Sequence, residues 1–108
     1  MGRYAVRQDI DVEGYWKIIV LYNAYLGQKD VGFTYTDTTK RKSIIGISET
    51  TSQEQFLNTI VHEAKHVQSQ ICKYYNVEED SEEAAYLIGY IIQKMHRVFR
   101  NMIGTDIK

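Results

Sequence analysis

His62 and His66 are the two residues of this chain whose types and spacing most clearly suggest chemistry. On an α-helix, positions i and i+4 lie one above the other on the same face, so both imidazoles can point at one metal ion. Glu63 follows His62 directly and lies about 100° around the helix, where it can take a proton from an activated water. The His-Glu-x-x-His pattern therefore suggests zinc-assisted hydrolysis of an amide bond, with Glu63 as general base.

The sequence around this motif predicts an amphipathic helix from about Ser52 to Tyr74. Residues 51–55 contain two overlapping capping boxes, which are typical of a helix start. The apolar positions that follow recur with helical periodicity: Phe56, Ile60, Val67 and Ile71. Because Glu63 falls in the same register, we expect it to be half-buried in an apolar wall, an environment that favours a general base.

A catalytic zinc ion usually has three protein ligands, and its fourth position is left to water. A second predicted helix starts within the acidic residues 78–83. Asp80 and Glu83 form a predicted capping box there, which leaves Glu82 without a capping role. The spacing from the second histidine allows a turn at residues 75–77 and a return onto the first helix. Glu82 is therefore the candidate third ligand, and a solvated helix start favoured by the helix dipole is the alternative.

The two motifs together, His62 to His66 followed by Glu82-x-x-Ala85 with Gly89 beyond, resemble those of the glutamate-zincin metallopeptidases. The pair is also similar to short phage and Bacteroides-type proteins with a His-Glu-x-x-His helix and a Glu-x-x-Ala-Tyr-Leu-x-Gly helix. The resemblance to the wider class covers about residues 43–89. It implies a small zincin-like domain in which His62, His66 and Glu82 bind Zn²⁺ and Glu63 is the base.

Two residues depart from the uncharged residues that are usual near the ligand pair in active peptidases, namely Lys65 and Gln68. A cation beside the site would repel Zn²⁺ unless its side chain reaches outward to water. A second hypothesis therefore stays open: a non-catalytic binding or regulatory protein with the zincin fold, encoded by a phage or mobile element. A third hypothesis is a metal-free helical interaction protein.

Length and composition indicate one domain over residues 1–108, because the chain is long enough for a single core and for no more. The net charge of −1 predicts no nucleic-acid partner and no attraction to an anionic membrane. The only cysteine, Cys72, excludes an internal disulfide and favours a reducing compartment. With no apolar leader at the N-terminus, we expect a cytoplasmic protein that acts on a peptide or protein substrate.

The order of patterns predicts an α+β fold, with a short N-terminal β-sheet packed on the metal-binding helix and on a second, long C-terminal helix. Strands are expected at residues 3–10, 15–22 and 43–48, with a polar turn at 37–42. The run at 15–22 could alternatively continue as a helix through Leu26. Residues 32–36 could be extended or could form a loop over the site.

Two further expectations concern the substrate. In zincins the strand before the metal helix often pairs with an extended substrate, and Gly46 in that strand would let a backbone approach closely. A core strand with a glycine bulge is the alternative. Tyr86 and Tyr35 are candidates for a hydroxyl that stabilises the oxyanion opposite the metal.

Overall fold

Four strands and two helices follow one another along the chain in a computed structural model, which describes residues 6–24, 32–48 and 52–106. The elements are β1 (Val6–Val12), β2 (Trp16–Ala24), β3 (Gly32–Asp37), β4 (Lys42–Ser48), α1 (Gln53–Tyr75) and α2 (Glu82–Asp106). The α+β class is confirmed. The run at 15–22 is a strand and not a helix, because its β-branched and aromatic residues lie in the centre of a sheet. Residues 3–5 of the first predicted strand lie outside the described residues.

The four strands form one sheet in the order β1-β2-β4-β3. β1 and β2 pair antiparallel, β3 and β4 also pair antiparallel, and β2 lies parallel to β4 in the centre. Alternate residues of the strands point to one face and are buried there, among them Trp16, Ile18, Val20, Tyr22, Ile45 and Ile47. The two helices pack on the sheet, α1 against β3 and β4 and α2 against β1.

The position of β4 corrects one functional expectation. Both of its edges are already paired, with β2 on one side and β3 on the other, so β4 cannot add a substrate strand. Gly46 has a structural role instead, because a Cβ atom there would lie 2.6 Å from Cδ1 of Phe33. Phe33 is the residue opposite Gly46 on β3, and its ring occupies the space that the glycine leaves.

Helix α1 begins and ends as its sequence predicts. The Ser52 side chain accepts a hydrogen bond of 3.1 Å from the Gln55 backbone, and Asn76 ends the helix in the left-handed conformation with φ 59°. Thr51, the other predicted cap, lies outside the described residues. The predicted apolar positions are all buried: Phe56, Ile60, Val67 and Ile71.

The N-cap of helix α2 is Ser81, one residue later than the predicted cap Asp80. The Ser81 hydroxyl, and not Asp80, accepts the first-turn hydrogen bond, 3.2 Å from the Ala84 backbone nitrogen. The predicted capping box of Asp80 with Glu83 is therefore wrong. With Ser81 as the cap, Glu83 is the second residue of the helix and not the third, which a capping box requires. The buried positions of α2 are Ala84, Leu87, Ile91 and Met95, whereas Ala85 is exposed. Within the described residues, neither helix is long and apolar enough to cross a membrane.

Candidate metal centre

The two histidines of the motif converge on the exposed side of α1. Their Nε2 atoms lie 3.2 Å apart, and their ring centroids are 4.8 Å apart. Two nitrogens that each lie about 2.0–2.1 Å from a tetrahedral zinc ion are about 3.3 Å from each other. The same separation allows a hydrogen bond between the two rings, with its direction set by their tautomers. The separation of the His62 and His66 nitrogens therefore matches the distance between two ligands of one shared zinc ion.

Glu63 lies inside the apolar stripe of α1, and only 5% of its surface is exposed. Thr34 of β3 donates a hydrogen bond to it, over 2.7 Å from Oγ1 to Oε1. The Thr34 hydroxyl also lies 3.4 Å from the Glu63 carbonyl oxygen. Among the described residues this is the one side chain that hydrogen-bonds the carboxylate. The edge strand therefore holds one carboxylate oxygen and leaves Oε2 without a hydrogen bond from the described residues.

Gly32 allows β3 to lie directly against α1 at this point. A Cβ atom at this position would lie 2.8 Å from Cγ2 of Thr59 and 3.1 Å from Oε2 of Glu63. The first distance is shorter than carbon atoms tolerate, so a larger residue would push the strand away from the helix. The close approach that Gly32 permits is what brings Thr34 within hydrogen-bonding distance of the buried acid.

One open cleft of about 420 Å³ contains these groups. Its walls come from the edge strand and from one face of α1: Gly32, Phe33, Thr34, Thr36, His62, Glu63, His66 and Gln70. The sequence indicated three of them as site residues, His62, Glu63 and His66, and indicated residues 32–36 only as an extended segment or a loop over the site. Gln70 stands four residues after His66, so helical spacing could have placed it on the histidine face. Thr34 is 29 residues from Glu63 and carries no local signal for this contact.

Comparisons with protein-family models, with curated proteins and with solved structures found no match to this chain. The cleft combines two converging imidazoles, a buried carboxylate with one hydrogen-bonded oxygen, and a strand, β3, that pairs with β4 alone among the described residues. These are the parts that bind a cation, move a proton and hold an extended chain.

The predicted third ligand does not line this cleft. Glu82 is exposed at the first residue of α2. Within residues 6–24, 32–48 and 52–106, no three His, Cys, Asp or Glu side chains come together as a group that could hold a metal ion. The structure thus brings His62, His66 and Glu63 together, and the role of Glu82 as a ligand stays a prediction.

Lys65 and Gln68, the two departures from the usual pattern, connect α1 to the turn that follows it and to α2, respectively. The Lys65 ammonium donates to Gln68 Oε1 at 2.8 Å and to Glu79 Oε1 at 3.2 Å. Gln68 is only 2% exposed, and its Nε2 donates to the carbonyl of Ala84 at 3.1 Å. Neither side chain lines the cleft. The positive charge of Lys65 is therefore paired with an acid away from the two imidazoles.

Neither candidate tyrosine lies in the cleft. Tyr86 is 76% exposed on α2 and borders a different cavity. Tyr35 lies between Thr34 and Thr36 on β3, and both threonines line the cleft. Tyr35 itself is 60% exposed and does not line the cleft. Neither Tyr86 nor Tyr35 is placed to stabilise an oxyanion in this cleft.

Proposed function

We propose that this protein is a zinc-dependent metallohydrolase that cleaves amide bonds in peptides, as a minimal member of the glutamate-zincin type. The observation that carries the proposal is the convergence of two imidazoles, 3.2 Å apart, beside a buried carboxylate in one cleft. A helix that merely exposed two histidines would have no reason to bury Glu63, since burial of a carboxylate is unfavourable without a compensating partner. Thr34 supplies that partner.

In this proposal His62 and His66 would hold the metal, and Glu82, which does not line the cleft in this structure, would have to reach it from the start of α2 as the third ligand. Zinc bound there supplies Lewis acidity, which activates a water molecule and polarises the carbonyl of the scissile bond. Lys65 does not oppose the cation, because its ammonium is paired with Glu79 outside the cleft. Gln68 is likewise occupied by its contact with α2.

Glu63 moves the proton. Thr34 holds Oε1 at 2.7 Å, which fixes the plane of the carboxylate and leaves Oε2 to accept a proton from the attacking water. The protonated acid then donates to the nitrogen of the departing amine. Such general acid–base catalysis contributes typically about 10²–10⁴-fold to a rate.

The substrate in this proposal is an extended peptide segment. Within the part of the chain that the structure describes, β3 pairs with β4 alone, and residues of β3 line the cleft together with α1. An unpaired strand edge can add a further strand through main-chain hydrogen bonds. A peptide bound along β3 would pass the histidine pair, so the strand edge takes the role that the sequence suggested for β4.

Metal content and peptide hydrolysis of the same purified protein test the proposal. Protein prepared without added metal is expected to retain about one zinc per chain, and His62→Ala is expected to lose it. Glu63→Gln should retain zinc and lose about 10²–10⁴-fold in hydrolysis of a peptide library. His96→Ala, at an exposed position of α2, is the control and should change neither.

Two results would contradict the proposal. Wild-type protein that binds no zinc would show that the proposed metal centre does not exist. Zinc that remains bound without hydrolysis of any peptide, together with a Glu63→Gln variant that keeps its biological effect, would support the non-catalytic zincin-fold binding protein instead.

A further inference from the structure

A second cavity lies on the other side of α1 from the candidate metal centre. It has a volume of about 700 Å³ and lies between the C-terminal half of α1, the start of α2 and the turn that joins β1 to β2. Its lining has no residue in common with the metal cleft. Small-molecule sites commonly have volumes of about 300–1,000 Å³. The size of this cavity therefore suits a small ligand.

The lining combines aromatic rings with carboxylates. Four tyrosines and two glutamates border the cavity: Tyr15, Tyr75, Tyr86, Tyr90, Glu13 and Glu83. The rings of Tyr15 and Tyr75 meet edge to face with centroids 5.3 Å apart. The deeper wall is apolar and buried, including Ile71 and Leu87. Among the described residues that line the cavity there is no lysine, arginine or histidine.

The electrostatic setting of the cavity is negative. Burial, and then the neighbouring carboxylate of Glu13, raise the pKa of the Tyr15 phenol. Burial, and then the carboxylate of Glu79, raise the pKa of the Cys72 thiol, and Glu83 acts in the same direction. Phenol and thiol therefore stay neutral at pH 7, and the charge of the lining is that of its two glutamates.

We propose that this cavity binds a small organic ammonium ion whose cationic head lies among the tyrosine rings and the carboxylates of Glu13 and Glu83. The faces of aromatic rings attract cations, and quaternary ammonium groups are recognised by aromatic cages of this composition. One of these rings already binds a cation in this structure, since the Lys94 ammonium lies 5.3 Å from the ring centroid of Tyr90. Glu13 and Glu83 are the charged residues among the described lining, and their charge attracts a cation more than a neutral ligand of the same shape.

Choline and its uncharged isostere 3,3-dimethylbutan-1-ol provide the test, with binding to wild-type protein followed by titration in NMR spectra of the tyrosine rings. The cation is expected to bind about tenfold more tightly than the alcohol, the size of effect that partly desolvated cation–π contacts produce. Glu13→Gln and Glu83→Gln should each weaken choline binding by about two- to tenfold and leave the alcohol unaffected. Tyr86→Ala should also weaken choline binding.

The controls separate this proposal from the proposed function. Glu78→Gln changes an exposed acid that does not line the cavity and should leave choline binding as in wild type. His62→Ala should also leave it unchanged, whatever its effect on zinc. All the cavity variants replace exposed residues, so thermal unfolding should confirm that they fold. Equal binding of cation and alcohol, absence of saturable choline binding, or full choline affinity in both glutamate variants would overturn the proposal.

Discussion

Thr34 on the edge strand donates its hydroxyl proton to Glu63 on the motif helix, over 2.7 Å between Oγ1 and Oε1. This bond joins the two walls of the cleft at the residue proposed to move the proton. It also gives a buried carboxylate its hydrogen-bond partner, without which burial of the charge would be unfavourable. The contact thus connects the stability of the fold to the chemistry of the site.

Thr34→Val is expected to lower peptide hydrolysis by about tenfold and to leave zinc content unchanged, because Glu63 would keep its place but lose the bond that orients it. The free energy of unfolding should fall by about 1–3 kcal/mol, the penalty for a buried polar group left without a partner. Urea denaturation and steady-state kinetics measure the two effects. Thr34→Ser retains the hydroxyl and should restore both; a serine variant as impaired as valine would show that the methyl group, and not the bond, matters.

Glu82→Gln tests the third ligand. If the carboxylate binds the metal, the variant should bind zinc at least about tenfold more weakly, since the metal loses a charged ligand. Isothermal titration with zinc, or competition with a chelator, gives the affinity. Glu78→Gln removes an equivalent negative charge from the same acidic segment and serves as the control. Equal zinc affinity in wild type and Glu82→Gln would exclude Glu82 and direct the search to another donor.

Gln68→Met should destabilise the protein without affecting the metal. The buried amide donates to the Ala84 carbonyl at 3.1 Å, and loss of such a hydrogen bond lowers the free energy of unfolding by about 1 kcal/mol. Zinc affinity should stay as in wild type, because Gln68 does not line the cleft. Gln93→Met, at an exposed position of α2 that does not line the cleft, is the matched control, with an expected change within about 0.5 kcal/mol. A large change in zinc affinity for Gln68→Met would mean that this residue acts on the site.

The lowered pKa of Glu79 predicts a pH-dependent contribution to the free energy of unfolding. The hydrogen bond from Ser69, and then that from Lys65, lower the pKa of Glu79 below its ordinary value of 4.5. Because the folded state holds the charged form, the contribution is fully present above pH 4.5 and is lost as pH falls through the lower, folded-state pKa.

Urea denaturation of wild type and Glu79→Gln at several pH values measures this contribution. The wild type should be the more stable at neutral pH, and the two proteins should converge below the pKa of Glu79. Glu78→Gln, whose parent side chain is also exposed, should show no such trend. Added salt should reduce the difference at neutral pH, because the pair with Lys65 is exposed. A difference that persists at the lowest pH would mean that the charge of Glu79 is not its source.

Local sequence patterns predict both helices and, for α1, the face that it buries. Spacing of i, i+3 and i+4 predicts three features of α1: the cap at Ser52, the buried stripe and the register of Glu63. All of this information lies within the segment itself. The convergence of His62 and His66 follows from the same spacing. The β-branched and aromatic residues at 15–22 favour a strand, although their pattern alone also allows a helix.

Tertiary structure decided the order of the strands and with it the shape of the cleft. Whether β4 or β3 forms the edge depends on how two hairpins combine, and no single segment contains that information. The same long-range pairing places the Phe33 ring against Gly46 and places Thr34 within hydrogen-bonding distance of Glu63. The sequence by itself therefore determined which side chains share one helix face, since a helix repeats every 3.6 residues. Which strand meets that face is set by contacts between distant segments, and only the folded chain makes them.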